Sequence, residues 1–381
     1  MSKTLTIESH FLPREALQRL IDLLVADGYQ VIGPMIKQHA VVYRPVTSVS
    51  QLPKGWSDIQ SPAVYRLENK AHDRYFAFNA SPDSWKRWLF PTQSEIGTAT
   101  LRDGAWHFDN PSGNVPRYAF LGVRACDLAA IAVQDRVFTR NEYVDAAYTA
   151  RRNAALIIAV QCSTAASTCF CSSMGTGPEC EAGFDLALTE IDDGFVIVAG
   201  TLRGLGLLDQ LSLESASEAR ITRASREVDN ARQAITKKLD ARGVHDLLLD
   251  NLEHQRWKQV AERCLSCTNC TMVCPTCFCS TVEEVASLDQ TEVARVRNWD
   301  SCFNIQFSYT AGGTVRNDVR SRYRQWLTHK FATWHDQFDV SGCVGCGRCI
   351  TWCPVGIDVT EEIEAFRLTS NSTEAEHPCT S

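Results

Sequence analysis

The sequence predicts an α/β domain with parallel strands, then a helical linker, then a smaller cysteine-rich α+β domain that carries a long helical insertion. Apolar strand, helix and apolar strand follow one another between residues 118 and 160, and two cysteine runs of identical spacing lie near the carboxyl end. The predicted boundaries are 1–211 for the α/β domain, 212–262 for the linker, 263–368 for the cysteine-rich domain, about 276–340 for its insertion and 369–381 for a polar tail.

Length and composition exclude a small protein held together by disulfides. The chain has 381 residues, of which 44% are hydrophobic, so it can bury ordinary cores. The N-terminus lacks a signal-peptide pattern, and no apolar stretch reaches the ~18 residues of a membrane helix. We therefore expect a cytoplasmic protein, where 17 cysteines indicate metal ligands or redox groups. A net charge of -7 argues against general nucleic-acid binding.

The first elements have clear boundaries in the sequence. "FLPREALQRLIDLLVADGYQ" predicts a helix that begins near Pro13 and stops at Gly28, and "YQVIGPMI" and "AVVYRPV" predict strands. A further apolar strand ends near Val123, and Asp127 is then the expected N-cap of a helix to Val137.

Residues 154–160 form another apolar strand, which runs directly into Cys162. A strand, helix and strand in this order predict parallel neighbours, so Cys126 and Cys162 should emerge at the carboxyl ends of adjacent strands. The linker reads as two helices broken near Gly243, with no residues that suggest chemistry.

The strongest signal is the spacing C-x2-C-x2-C-x3-C-P, which occurs twice and is typical of bacterial ferredoxins with two 4Fe-4S clusters. In such domains three closely spaced thiolates hold one cluster, and the fourth cysteine reaches the other. The predicted ligands of cluster 1 are Cys264, Cys267, Cys270 and Cys353, and those of cluster 2 are Cys343, Cys346, Cys349 and Cys274. Structural zinc is the alternative, but it favours two separated pairs that close one tetrahedron.

The sequence "TCFCS" occurs at residues 168–172 and again at 276–280. In an extended C-x-C segment both thiols lie on one face, about 7 Å apart at Cα, which suits two irons of one cluster. We therefore predict a third 4Fe-4S cluster whose ligands are Cys126, Cys162, Cys169 and Cys171, with Cys180 in reserve. A zinc site or buried structural thiols are the alternatives.

The second copy offers weaker iron-ligand candidates, namely Cys277 and Cys279 together with Cys302. No fourth thiol is evident, and His329 or His335 could complete the set. Cys379 in the polar tail is expected to be a free thiol.

The insertion also predicts a helix from about Thr314 to Trp334. Its expected buried stripe consists of Val315, Val319, Tyr323, Trp326, Phe331 and Trp334. The opposite side carries Arg316, Arg320 and Arg324, which either face a cluster or an acidic partner or form an ordinary solvated surface.

Several passages together resemble a known family: "SWKRWLFP", "FLGVRACDLAAI", "QCSTAASTCFCSSMGTGP", "RCLSCTNCTMVCPTCFCS", "NWDSC", "AGGTVRNDVRSRYRQWLTHKF" and "CVGCGRCITWCP". They are similar to the iron-sulfur subunit shared by the anaerobic sulfite reductases and the cytoplasmic sulfhydrogenases, in which it is the beta subunit of NAD(P)-linked nickel-iron hydrogenases. The resemblance extends over nearly the whole chain from about residue 50. The alanine-rich "STAAST" and the polar tail depart from the family pattern.

The resemblance implies an electron-transfer subunit, without catalytic residues of its own, between a flavin subunit that uses NAD(P)H and a hydrogenase or sulfite reductase catalytic subunit. A flavin is then expected on a partner. The alternative is a redox enzyme in its own right, with a flavin or substrate site near Cys126.

Overall fold

The computed structural model describes residues 8–109, 115–140 and 142–375, with side chains described to residue 368. Cys379 lies outside the described residues. The strands are β1 Ser9–Pro13, β2 Gln30–Lys37, β3 Ala40–Pro45, β4 Trp56–Ser61, β5 Val64–Asn69, β6 Gln93–Arg102, β7 Ala105–Asp109, β8 Tyr118–Val123, β9 Leu156–Val160, β10 Leu186–Ile191, β11 Gly194–Ala199, β12 Glu214–Ser215, β13 Ser280–Ala286, β14 Glu292–Trp299, β15 Tyr309–Thr310 and β16 Gly313–Thr314.

Most helices are short. They are α1 Leu17–Ala26, α2 Lys86–Leu89, α3 Ala125–Thr139, α4 Ala146–Ala154, α5 Leu202–Leu211, α6 Glu218–Ala234, α7 Val244–Asp250, α8 Arg256–Ala261, α9 Asn269–Met272, α10 Val319–Thr328, α11 Trp334–Phe338, α12 Arg348–Thr351 and α13 Val359–Ala375. Short 3-10 turns occupy Arg14–Ala16, Val49–Gln51 and Cys171–Met174, and a π-helical turn occupies His329–Thr333.

An eight-stranded sheet forms the centre of the first part of the chain, in the order β12-β1-β11-β10-β9-β8-β2-β3. The pairs β2–β8, β8–β9 and β9–β10 are parallel, as predicted, whereas the outer pairs are antiparallel. Leu121 and Ile158 pack with α1 and α5 on one face, and Phe120 and Ile157 pack with α3 on the other. Both faces are therefore buried, and the carboxyl ends of β8 and β9 lie side by side.

The start of α3 differs from the sequence prediction. Helix α3 begins at Ala125 with Arg124 in the N-cap position, so the prediction of Asp127 as the cap is wrong. Asp127 lies in the first turn and pairs with Arg348 in an ion pair with both side chains almost fully buried. A tertiary interaction therefore accounts for this aspartate, which local sequence alone assigned to capping.

The insertion contains a β-hairpin as well as helices. Strands β13 and β14 pair with each other, and β14 pairs with β6, giving a four-stranded antiparallel sheet in the order β13-β14-β6-β7. One hairpin comes from each half of the chain, so the two halves are joined through this sheet.

The predicted helix of the insertion is shorter and interrupted. Helix α10 begins at Val319, and the Asp318 side chain caps it by accepting a hydrogen bond from the Ser321 amide. A π-helical turn separates α10 from α11. The predicted stripe residues Tyr323, Trp326, Phe331 and Trp334 are buried, but Val315 is 67% exposed and lies before the helix.

The linker forms three helices, α6 to α8, with Gly243 at the start of α7. Arg320 and Arg324 of α10 both pair with Glu253, so these two arginines connect α10 to the turn between α7 and α8 of the linker. Helix α13 continues to Ala375, beyond the predicted domain end at residue 368. Within the described ranges, no helix is both long enough and apolar enough to cross a membrane.

Glu190 holds the loop that precedes α2. The residue is 4% exposed, and its carboxylate accepts hydrogen bonds from the amides of Tyr75 at 2.7 Å and Phe76 at 2.9 Å. Glu190→Ala leaves both buried amides without acceptors, so we expect the free energy of unfolding to fall by roughly 2–6 kcal/mol. Chemical denaturation of the anoxically purified protein measures it. Glu68→Ala, which removes an exposed carboxylate, is the control, and equal losses would contradict the assignment.

Candidate metal centres

The first predicted quartet surrounds a single cavity. Cys264, Cys267, Cys270 and Cys353 all line it, together with apolar side chains that include Phe303, Tyr323 and Trp326. Burial raises the pKa of the Cys270 thiol well above its usual range, and the nearby Cys264, Cys353 and Cys267 thiols raise it further. Cys267 is exposed, as is Leu265. The structure thus brings the fourth cysteine of the second run to the first three of the other run.

The second predicted quartet is arranged in the same way. Burial raises the pKa of Cys349, and the neighbouring Cys343, Cys346 and Cys274 thiols raise it further. Cys274 therefore lies with the three cysteines of the other run. The Cys270 thiol also raises the pKa of Cys349, and the Cys274 thiol raises that of Cys270. The two quartets are therefore neighbours.

Backbone amides are directed at the sulfurs of both quartets. The amide of Ser266 donates to Cys264 Sγ at 3.4 Å, that of Gly345 to Cys343 Sγ at 3.4 Å, and that of Ile357 to Cys353 Sγ at 3.3 Å. Hydrogen bonds of this kind stabilise a negatively charged sulfur. They suit thiolate ligands of a cluster.

The described side chains form no site for a single metal ion. Within the described residues, no three His, Cys, Asp or Glu side chains lie close enough together to hold one metal ion. A zinc tetrahedron with Zn–S bonds of about 2.3 Å requires such close sulfurs.

The third predicted set also gathers in space. Burial raises the pKa of Cys171 to about 12, with further contributions from Cys162 and Cys346, and burial raises that of Cys169, with a contribution from Cys171. Burial raises the pKa of Cys126 well above its usual range, and the nearby Asp127, Cys346 and Cys171 raise it further. The third set therefore lies beside Cys346 of the second quartet.

The reserve residue Cys180 lies near Cys162 but has other partners. Its Sγ donates to the Val160 carbonyl at 3.9 Å, and its amide donates to Gln161 at 2.7 Å. These contacts suit a structural thiol.

Buried guanidinium groups surround the third set. Arg124, 2% exposed, donates to the carbonyls of Phe78 and Gln161, both at 2.9 Å, and contacts the Cys162 thiol. Arg348 is fully buried and interacts with Cys346 and Cys126 as well as Asp127. Arg124 Nε and Arg348 Nη1 are buried without a hydrogen-bond partner. Because unpartnered buried donors are costly, they fit a site for an anionic group such as a thiolate-bound cluster.

The weaker candidates of the second "TCFCS" lie together, but not with a histidine. Hydrogen bonding from Cys302 lowers the pKa of Cys279 to about 7, and contact with Cys274 raises that of Cys277. His329 instead pairs with Gln337 at 3.2 Å, and His335 is exposed. The suggestion that either histidine completes a ligand set is therefore not supported by the geometry.

Two buried lysines adjoin these thiols. Lys330 is 4% exposed, and its Nζ lies 3.4 Å from Cys274 Sγ. Lys86 is 3% exposed and donates to the Cys277 carbonyl at 3.1 Å, with its Nζ 3.8 Å from the centre of the Trp299 ring. Burial lowers the pKa of Lys86 to about 8, whereas the Cys274 and Cys277 thiols overcome burial and raise that of Lys330.

Sequence reasoning did not identify these cations as part of the site. Arg124, Arg348, Lys86 and Lys330 each lie within or next to apolar or cysteine-rich segments, such as "SWKRWLF" and "THKFATW". No local signal selects them, because Arg87 lies in the same aromatic segment as Lys86 and yet its side chain is 34% exposed.

The first "TCFCS" packs directly on the second cysteine run. Phe170 donates its amide to the Gly345 carbonyl at 2.9 Å, and Thr168 and Thr351 hydroxyls hydrogen-bond at 2.8 Å. A methyl group at Gly345 would lie 2.7 Å from the backbone of Cys171. Glycine is required there because the two cysteine segments touch through their backbones.

Comparisons with known proteins identify a family for the cysteine-rich region and a relative for the chain. Residues 263–357 match the family model described as "4Fe-4S dicluster domain". The chain is 32% identical over 257 residues to a protein named "Sulfhydrogenase 2 subunit beta" from Pyrococcus furiosus, an alignment that covers 66% of this chain and 74% of that protein. No solved structure matches the chain significantly.

Gly345→Ala tests the contact between the first "TCFCS" and the second run. Gly243 is the matched control because both glycines have φ near +64°, whereas nothing lies within 4 Å of a methyl group at Gly243. Both variants bear the conformational cost of about 1 kcal/mol, but only Gly345→Ala adds a backbone collision. We expect a clearly larger drop in the thermal unfolding midpoint for Gly345→Ala, and equal drops would contradict the contact.

Proposed function

Because the chain belongs to the iron-sulfur subunit family of the sulfhydrogenase beta subunits, we propose that it relays electrons inside a cytoplasmic oxidoreductase complex. Its partners in this proposal are a subunit that binds flavin and NAD(P)H and a catalytic hydrogenase subunit. The name of the Pyrococcus furiosus relative favours hydrogenase over sulfite reductase. A nickel protein that copurifies under anoxic conditions would support the former, and a sirohaem protein the latter.

The observation that carries the proposal is the exchange of Cys274 and Cys353 between the two runs. Each run contributes its last cysteine to the neighbourhood of the other run's first three. When bound, 4Fe-4S clusters accept and return single electrons. The chain supplies the thiolates, directs amides at them and excludes water with Phe303, Tyr323 and Trp326.

The three cysteine sets form a series. Cys126 and Cys171 adjoin Cys346 of the second quartet, and Cys349 of that quartet adjoins Cys270 of the first. At the far end of the series Cys267 is exposed. We propose that the third set holds a third cluster and that the surface around Cys267 is one terminus of the relay.

The alternative of a redox enzyme with its own substrate site near Cys126 has less support. Cys126 is 8% exposed, Cys171 is 6% exposed, and the Arg348 guanidinium beside them is fully buried. A substrate site needs an open cleft beside its reactive group, and Cys126 and Cys171 present little surface to solvent.

Iron analysis tests the third cluster. Protein prepared without oxygen is expected to contain about twelve irons per chain with matching acid-labile sulfide, and Cys126→Ala about eight. Cys180→Ala is the matched control, because that thiol bonds to the Val160 carbonyl, and it should retain about twelve. If the unmodified protein and Cys126→Ala both contain about eight irons, the proposal of a third cluster is wrong, while the proposal of the first two clusters stands.

The isolated chain tests the relay against the enzyme. We expect the isolated chain to contain no flavin and to show no turnover with reduced dye and sulfite. It should still accept electrons from the reduced dye, and the number of electrons accepted per chain should be proportional to its iron content. Bound flavin, or sulfite turnover by the chain alone, would favour the enzyme.

A further inference from the structure

Lys330 is a buried cation whose counter-charge comes from sulfur. Its Nζ lies 3.4 Å from Cys274 Sγ, 3.2 Å from Thr276 Oγ1 and 3.1 Å from the Gly342 carbonyl oxygen. Within the described part of the chain, no carboxylate forms an ion pair with it. A buried ammonium group requires compensation, and the anionic group within reach is the ligand sulfur.

The surrounding structure holds this ammonium group in place. The Thr276 hydroxyl lies 3.1 Å from Cys274 Sγ and donates to the Gly342 carbonyl at 2.6 Å, so threonine and lysine bind the same two atoms. The Gly342 amide donates to the Lys330 carbonyl at 2.9 Å. Lys330 also lies in the π-helical turn between α10 and α11, a geometry that frequently marks functional positions.

We propose that Lys330 sets the reduction potential of the cluster held by Cys274, Cys343, Cys346 and Cys349, by keeping a positive charge against one ligand sulfur. The inference rests on the proposed function. Reduction adds one electron, and the added negative charge is stabilised by a cation at this distance in a site of low dielectric. Removing the charge therefore makes the cluster harder to reduce.

Redox titration with dithionite as the reductant, followed by electron paramagnetic resonance, measures this effect. In Lys330→Met we expect the equilibrium of this one cluster to shift at least tenfold against reduction, or about 59 mV for a one-electron couple. The affected signal is the one that is lost in Cys343→Ala. Lys330→Arg should restore most of the potential because the charge is kept, and Lys54→Met, which removes an exposed lysine, should leave it unchanged.

Lys330→Gln is a second neutral variant, which controls for faulty cluster assembly in Lys330→Met. It removes the charge but keeps a hydrogen-bond donor. A wild-type potential in either neutral variant, or an equal shift in Lys54→Met, would overturn the proposal. It would also be overturned if both neutral variants lost the cluster and Lys330→Arg kept it, since the role would then be assembly. Absence of all cluster signals from the unmodified protein would instead contradict the proposed function itself.

Discussion

The exchange of one cysteine between two runs is the constraint on which the rest of the structure depends. Cys274 and Cys353 each lie with the first three cysteines of the other run, although the runs are separated by an insertion. Neither quartet is complete until both runs have folded against each other. The contacts of Trp326 and Tyr323 with the first quartet bring the insertion into the same core.

The second constraint is electrostatic. Anionic sulfur in a water-excluded core requires buried donors and cations, and the chain supplies Arg124 and Arg348 at the third set and Lys330 at the second quartet. Arg348 is also paired with Asp127, so the cysteine-rich domain and helix α3 are joined by an ion pair that is buried on both sides. Arg348 thereby both lies beside the cysteines and holds the two halves of the chain together.

Much of this arrangement could be predicted from the sequence, because ligand chemistry imposes spacing. The cysteine runs and the parallel strands that end before Cys126 and Cys162 have local patterns, and the structure agrees with those patterns. The pairing of β14 with β6 was missed because β6 lies about 190 residues earlier in the chain, so that pairing leaves no local pattern. The burial of Lys330 depends on a tertiary contact in the same way. The β13–β14 hairpin pairs residues that are close in sequence, and there the prediction of a helical insertion was incomplete.

Diffraction from anoxically grown crystals, measured on both sides of the iron absorption edge, tests the account most directly. It predicts iron among Cys264, Cys267, Cys270 and Cys353, iron among Cys343, Cys346, Cys349 and Cys274, and a third iron site among Cys126, Cys162, Cys169 and Cys171. Iron or zinc enclosed by the four cysteines of one run alone would contradict the exchange, and with it the relay.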